Sequence, residues 1–190
     1  MNTKFLTTAA VLAFSLSTGA QASLTSSGPL TVFDSAQSLT WTKDANLNGA
    51  MDWTTAVAWA NNLDYAGYTD WVLPTSTQLT NQFSTNLGQA QDSSIADSHN
   101  ANYNLFSKVQ SDMYWSGSEY APYPDVAWTF NTGTGYQDGS NKGLQFYAWA
   151  VRPGDVAASA PTAVPLPAAT WLFLSGLVGV LGLKRRKNIG

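Results

Sequence analysis

The chain predicts an α+β fold: one domain with two early helices and a late antiparallel sheet, followed by a separate hydrophobic helix near the C-terminus. Three observations carry this. Trp53, Ala56, Val57, Ala60 and Leu63 recur at helical spacing, and Leu79, Phe83 and Leu87 do so again. Val126, Trp128 and Phe130 alternate with Ala127, Thr129 and Asn131, the period of a half-buried strand. The run from Ala168 to Leu183 carries no charge over 16 residues.

Taken in order, Lys4, the apolar run Phe5 to Leu16 and the small-residue pattern Ala20-Gln21-Ala22 read as a secretory signal peptide over residues 1–22, cleaved after Ala22. The domain then spans residues 23–156. Thr31 to Asp34 and Leu39 to Thr42 are short strands, and Asp44 to Gly49 is a loop by composition. Asp52 stands where it can cap the first helix, and Gly67 lies beyond that helix's end. Thr75 and Gln78 have capping-box spacing ahead of the second helix, which Gly88 can close. Residues 89–104 are polar and read as a long surface loop holding the chain's single histidine, His99. Strands return at Met113 to Ser118, at Asp125 to Asn131 and, as one run, at Leu144 to Arg152; the Gly-rich residues 132–143 read as turns joining them into a meander. Pro153 and Gly154 stop the sheet, and residues 157–163 form a linker.

Charge is divided unevenly. Between Ser23 and Ala163 there are four basic residues, Lys43, Lys108, Lys142 and Arg152, against all 12 acidic residues of the chain, a net charge of −8. Such a surface repels phosphate backbones, so nucleic acid is not an expected partner. The chain has no cysteine, so an exported domain of about 140 residues must hold itself together by burial alone. Its aromatic residues suit that task, each buried ring removing roughly 150 to 250 Å² from water.

The C-terminal segment, residues 164–190, has an ordered construction. Val164-Pro165-Leu166-Pro167-Ala168-Ala169 precedes the apolar run opened by Trp171, and Lys184-Arg185-Arg186-Lys187 closes it. As a helix the 16 uncharged residues span roughly 24 Å, short against a hydrocarbon core of about 30 Å. The basic cluster favours the cytoplasmic side and places the domain outside. An ordinary tail anchor is one reading. The segment also resembles the PEP-CTERM sorting signal, in its Val-Pro-Leu-Pro-Ala variant. That resemblance implies recognition by an exosortase, transient residence in the inner membrane, and delivery to the cell surface or extracellular matrix.

Five blocks of the domain carry a second resemblance: Asp44-Ala45-Asn46, Ala58 to Leu63, Gly67 to Pro74, Tyr114-Trp115-Ser116-Gly117 and Ala148 to Gly154. Together they are similar to the Lcl C-terminal domain family, which is grouped with C-type-lectin-like folds. Val72 stands where members usually carry Arg. The resemblance implies a lectin-like scaffold over about residues 30 to 155, and a scaffold does not by itself supply an activity.

Candidate chemistry falls into three groups. Asp44, Asn46, Asn48 and Asp52, with Gly49 between, have the alternate-oxygen spacing of a calcium loop, although Thr55 stands where a bidentate Glu would close it; Asx-turns and a helix cap explain the same residues without calcium. Glu119, Asp125 and Asn131, beside Asp138 and Asn141, lie along the late strands, where the lectin-like resemblance places a sugar site, but neither a Glu-Pro-Asn nor a Trp-Asn-Asp triplet is present. Tyr120, Tyr123, Tyr136 and Trp149 are aromatic platforms for sugar faces, while Trp115 and Trp128 are expected in the core. Arg152, the last strand's only charge, is expected to pair with Asp70.

With no Cys and one His, nucleophilic triads are not expected. The sequence therefore points to a non-enzymatic, surface-sorted protein that binds or structures exopolysaccharide in a biofilm-like matrix. A structural or adhesive matrix protein without a sugar pocket, and a carbohydrate-active enzyme built on paired carboxylates, remain open.

Overall fold

Residues 24–156 are described by a computed structural model. The expected signal peptide, linker and sorting segment with its hydrophobic helix lie outside the described residues. In chain order the elements are β1 (Leu24–Ser26), β2 (Thr31–Asp34), β3 (Leu39–Thr42), β4 (Ala50–Met51), α1 (Trp53–Asn61) and α2 (Ser76–Thr80). A π-helical run (Asn81–Asn86) and a 3-10 turn (Ala101–Leu105) follow, then β5 (Met113–Glu119), β6 (Val126–Asn131), β7 (Tyr136–Asn141), β8 (Phe146–Ala148) and β9 (Val151–Pro153). The α+β class expected from the sequence is thus present. Among the described residues no helix is long and apolar enough to cross a membrane.

Two sheets organise these elements. The first runs β1-β2-β3-β9 and is antiparallel throughout, with Val32 opposite Trp41 and Trp41 opposite Val151. The second runs β4-β8-β5-β6-β7; β5, β6 and β7 form the expected meander, whereas β8 lies parallel to β5 with Tyr114 opposite Tyr147. The residues read as one strand from Leu144 to Arg152 are therefore two strands in two sheets. The reason is burial: Ala148, Trp149, Ala150, Val151 and Arg152 are all buried in succession, which a strand with one solvated face does not allow. At Trp149 the chain passes from one sheet to the other. Its Nε1 donates to the Thr42 carbonyl at 2.8 Å, and the Thr42 amide donates to the Ala150 carbonyl at 3.1 Å.

Trp149 is also the centre of the main core. Its ring meets Trp41 at 5.0 Å, Phe106 at 4.8 Å, Phe83 at 5.7 Å and Tyr114 at 6.1 Å between centroids. Edge and tilted contacts of this kind add to simple area burial. A second apolar cluster lies under α1, where Ala56 and Ala60 pack with Met51, Leu73, Trp115, Ala127 and Ala148.

Both helix starts follow from their sequence. Asp52 Oδ1 accepts from the Thr55 amide at 3.0 Å, and Thr75 and Gln78 form the reciprocal capping box. After α2 the helix widens into its π-helical run. Leu79, Phe83 and Leu87 are spaced by four, so in a pure α-helix each would advance about 40° around the axis. The wider turns set that drift back, and all three are buried in the same core cluster. Gly88, at φ +73°, then ends the helix as expected.

Two other expectations change. Residues 132–143, read as turns, contain β7, which pairs with β6 over its whole length from Val126 opposite Asn141 to Asn131 opposite Tyr136. The loop 89–104 is fastened inward: Ile95 is fully buried, and the Gln89 side chain donates to the carbonyls of Ser93 and Thr132. Gly135 sits where that loop crosses the β6–β7 turn; a Cβ there would meet the Ala90 carbonyl oxygen at 2.6 Å.

Candidate ligand-binding groove

β6 has two faces with different fates. Ala127 and Thr129 point inward and are buried. On the other face Phe130 is covered because Phe83, from the π-helical run, stacks on it at 5.0 Å. That cover does not extend to Val126 and Trp128, which remain partly exposed. The uncovered end of the face forms a cavity of about 360 Å³, lined by Tyr120, Tyr123, Val126 and Trp128 with Gln137, Asp138 and Gly139 of β7.

Its aromatic wall is ordered. Tyr120 meets Trp128 edge-on at 4.7 Å and 90°, and stacks with Tyr123 at 5.8 Å and 22°. Tyr123 is 62% exposed, yet it stands between Pro122 and Pro124, whose fixed φ angles limit the freedom of its segment. Two backbone bonds close the same turn, Tyr123 N to Tyr120 O at 2.9 Å and Val126 N to Tyr123 O at 3.0 Å. Lys142 holds it from beneath: its ammonium donates to the Pro124 carbonyl at 2.6 Å, lies 3.2 Å from Glu119 Oε1, and sits 4.4 Å from the centre of the Trp53 ring.

Opposite this wall, Gly139 is the register partner of Trp128, so no side chain covers the indole from β7. Asp138 Oδ1 accepts from the Gly139 amide at 2.7 Å, and Gln137 Oε1 accepts from Thr80 Oγ1 at 2.9 Å. Gln137, opposite Phe130, shares the face of Trp128 and has its amide group left to meet a ligand, whereas Asp138, opposite Thr129, is on the other face of the strand. The arrangement offers an apolar aromatic platform with one amide donor beside it.

Of the expected ligand-binding residues, Tyr120 and Tyr123 line the groove. Glu119 and Asp125 flank it, the first engaged by Lys142 and the second exposed, its carbonyl accepting from the Lys142 amide at 2.9 Å. Asn131 and Tyr136 sit at the opposite end of the β6–β7 hairpin. There Asn131 Oδ1 accepts from the Gly133 amide, and the Tyr136 hydroxyl donates to Asp92 Oδ2 at 3.1 Å, a bond that raises the Tyr136 pKa. Trp149 is corrected outright: at 0% exposure it is the core's centre and reaches no ligand. Trp128 is corrected in the other direction, from core to groove. Its signal was the alternation of β6 itself; what the sequence concealed was how far the helix after Thr75 covers that face.

The Asp44 loop is closed on itself. Asp44 Oδ1 accepts from the Asn46 amide and Asn46 Oδ1 from the Gly49 amide, both at 2.9 Å. The cation beside Asp44 is Lys108, whose Nζ lies 2.6 Å from Oδ2. Asp52 caps α1 with both oxygens, which holds its carboxyl below the usual range through the Thr55 hydroxyl and amide. Asn48 is exposed at the loop tip. Among the described residues no group of three or more His, Cys, Asp and Glu is gathered for a metal.

No curated protein matches the chain. A model of the Lcl C-terminal domain matches residues 30–152, a span that takes in β2 to β8 and most of β9, both helices and the whole aromatic groove. This chain belongs to the Lcl C-terminal domain family.

Proposed function

We propose that the protein is a non-enzymatic polysaccharide-binding domain with a lectin-like fold, exported and then sorted to the cell surface or extracellular matrix. The observation that carries the binding half is the groove of Tyr120, Tyr123 and Trp128 beside Gln137. Sugar rings present C–H faces that pack on aromatic platforms, while their hydroxyls need a polar partner, which the Gln137 amide supplies. The rings are held by proline-flanked backbone and by the Lys142 clamp, so little ordering is required on binding.

The address rests on the sequence at both ends. A signal peptide over residues 1–22 sends the chain across the inner membrane, and the Val164 to Ala169 motif, the apolar run and the basic cluster present it to an exosortase. The inner membrane holds the chain only until that sorting step. A lectin-like scaffold is consistent with the family and with the α+β architecture of two sheets and two helices. The non-enzymatic reading is supported by His99, the only histidine, which is exposed, stacks on Tyr103 at 4.1 Å and bonds the Asn100 carbonyl.

The test is titration of the full chain, in a sugar-free detergent, with exopolysaccharide from the producing cell, read by tryptophan fluorescence and calorimetry. Saturable binding that falls about tenfold in Trp128→Ala supports the reading. An unsaturable or absent response leaves an adhesive or structural matrix protein, and release of new reducing ends would make it an enzyme.

A further inference from the structure

The ring planes of the groove select among polysaccharides by shape. Tyr120 meets Trp128 at 90°, and Tyr123 departs from parallel to Tyr120 by only 22°. The plane of Tyr123 is therefore steeply inclined to that of Trp128, whichever faces the two rings present. They form a corner rather than a strip. Trp128 is half-buried on β6, and Tyr123 is 62% exposed on the turn between β5 and β6. That turn is closed by its own backbone bonds and braced by the Lys142 ammonium on the Pro124 carbonyl, so the angle between the rings is set before any ligand arrives.

The same face is uncharged. On the side of the β6–β7 hairpin that carries Trp128, its neighbours are Val126 and Phe130, and the register partners of the three are Gly139, Asn141 and Gln137. None of these carries a charge, and none of the domain's four cationic side chains lines the groove. With a net charge of −8 on the domain, an acidic polymer finds nothing here to offset repulsion. A neutral chain is favoured, recognised by ring packing and by the Gln137 amide.

Linkage decides how a neutral hexose chain meets a corner. A β-1,4-linked glucan extends as a flat ribbon whose successive rings lie in nearly one plane, so it can pack on Trp128 or on Tyr123 but not on both. An α-1,4- or β-1,3-linked glucan turns as it advances. One of its rings can pack on Trp128 while a following ring, differently inclined, meets Tyr123.

We infer that the groove binds a neutral, helically wound hexose polymer in preference to a flat ribbon of the same sugar, with Tyr123 as the residue that reads the turn of the chain. This rests on the polysaccharide reading above and narrows it to one shape class.

The experiment titrates the full chain, in a sugar-free detergent, with three glucose hexamers that differ only in linkage: α-1,4, β-1,3 and β-1,4. The tighter of the two wound hexamers binds about fivefold more tightly than the β-1,4 hexamer, the worth of one further ring contact. That advantage disappears in Tyr123→Ala and survives in Tyr136→Ala, an exposed ring at the opposite end of the β6–β7 hairpin. Every hexamer that binds weakens in Trp128→Ala. Equal binding of the three, tighter binding of the β-1,4 hexamer, binding of none, an advantage that survives Tyr123→Ala or is equally lost in Tyr136→Ala, or indifference to Trp128→Ala would each overturn the winding inference. The polysaccharide reading is judged separately: it stands if the producing cell's own polymer binds and weakens in Trp128→Ala, and falls if that polymer gives no saturable response.

Discussion

Arg152 of β9 and Asp70 of the segment after α1 form a two-pronged ion pair, Nε to Oδ1 at 2.7 Å and Nη2 to Oδ2 at 3.0 Å. The sequence reading anticipated this pair. The same guanidinium lies 4.0 Å from the centre of the Tyr68 ring, and Val72 exchanges two backbone bonds with Val151. Residues far apart in the chain are thereby fastened to the last strand. Arg152 is 8% exposed, and its Nη1 has no partner, so the guanidinium depends on Asp70 for compensation. Asp70 is half-exposed, which weakens the electrostatic share of the pair. Asp70→Asn should therefore cost about 1 kcal/mol, and Arg152→Ala about 2–3 kcal/mol because a packed side chain is lost as well. A double-mutant cycle by chemical denaturation measures the coupling; a coupling of zero would assign the Arg152 loss to packing alone.

The pair also sets an acid limit. The Arg152 hydrogen bond holds the Asp70 carboxyl below its ordinary range, with burial opposing and charge attraction assisting. A depressed carboxylate contributes stability that is fully present above the unfolded value of about 3.9 and is lost as pH falls through the lower folded value. Thermal melts from pH 5 down to pH 2.5 should show a decline below about pH 4. In Asp70→Asn the slope should be shallower in that window and the neutral-pH melt lower.

How much of this was legible in the sequence depends on which neighbour decided each outcome. Local chemistry was readable: Asp52, Thr75, Gln78 and Gly88 set helix ends through bonds within a few residues. The Arg152–Asp70 pair was readable because unpaired charge was scarce near the last strand. Trp149 was not, because its burial depends on strands and a helix that arrive from four other parts of the chain. β7 was missed for a different reason: Tyr136 to Gly139 are exposed, so the strand carries no apolar alternation and is held mainly by its pairing with β6. The groove was half legible, since proline placed Tyr120 and Tyr123 outside but only the packed helix decides that Phe130 is covered and Trp128 is not.

Trp149 should therefore be a stability determinant rather than a binding one. Trp149→Ala removes a side chain that four rings surround and should cost about 3–5 kcal/mol, a large part of the total stability of a domain this size. Trp149→Phe keeps most of the packing but loses the bond to the Thr42 carbonyl, and should lower the melting temperature by several degrees while leaving glycan affinity intact. A loss of affinity in a folded Trp149→Phe protein would contradict the assignment.

Gly139 offers the converse test. Its absent side chain keeps the face of Trp128 open, and a Cβ there would meet only Val126 Cγ1, at 3.1 Å. Gly139→Val should fill the groove and lower glycan affinity about tenfold or more. A branched residue suits a strand, and strand propensities span about 1 kcal/mol, so the melting temperature should hold or rise slightly. If Gly139→Val binds normally, the ligand does not lie across Trp128.

The Asp44 loop makes a prediction about calcium. A cation bound at a hundredfold excess over its dissociation constant stabilises the folded state by about 2.7 kcal/mol, which would be plain in a melt. In this loop Lys108 already occupies the anionic side of Asp44, and the Asn46 and Gly49 amides take the other oxygens. Millimolar calcium or a chelator should therefore leave the melting temperature of the wild-type chain unchanged. Lys108→Ala removes the resident cation, so any calcium response should emerge only in that variant. A rise of several degrees in the wild type would mean that calcium displaces the ammonium and that the spacing from Asp44 to Asp52 is a metal loop.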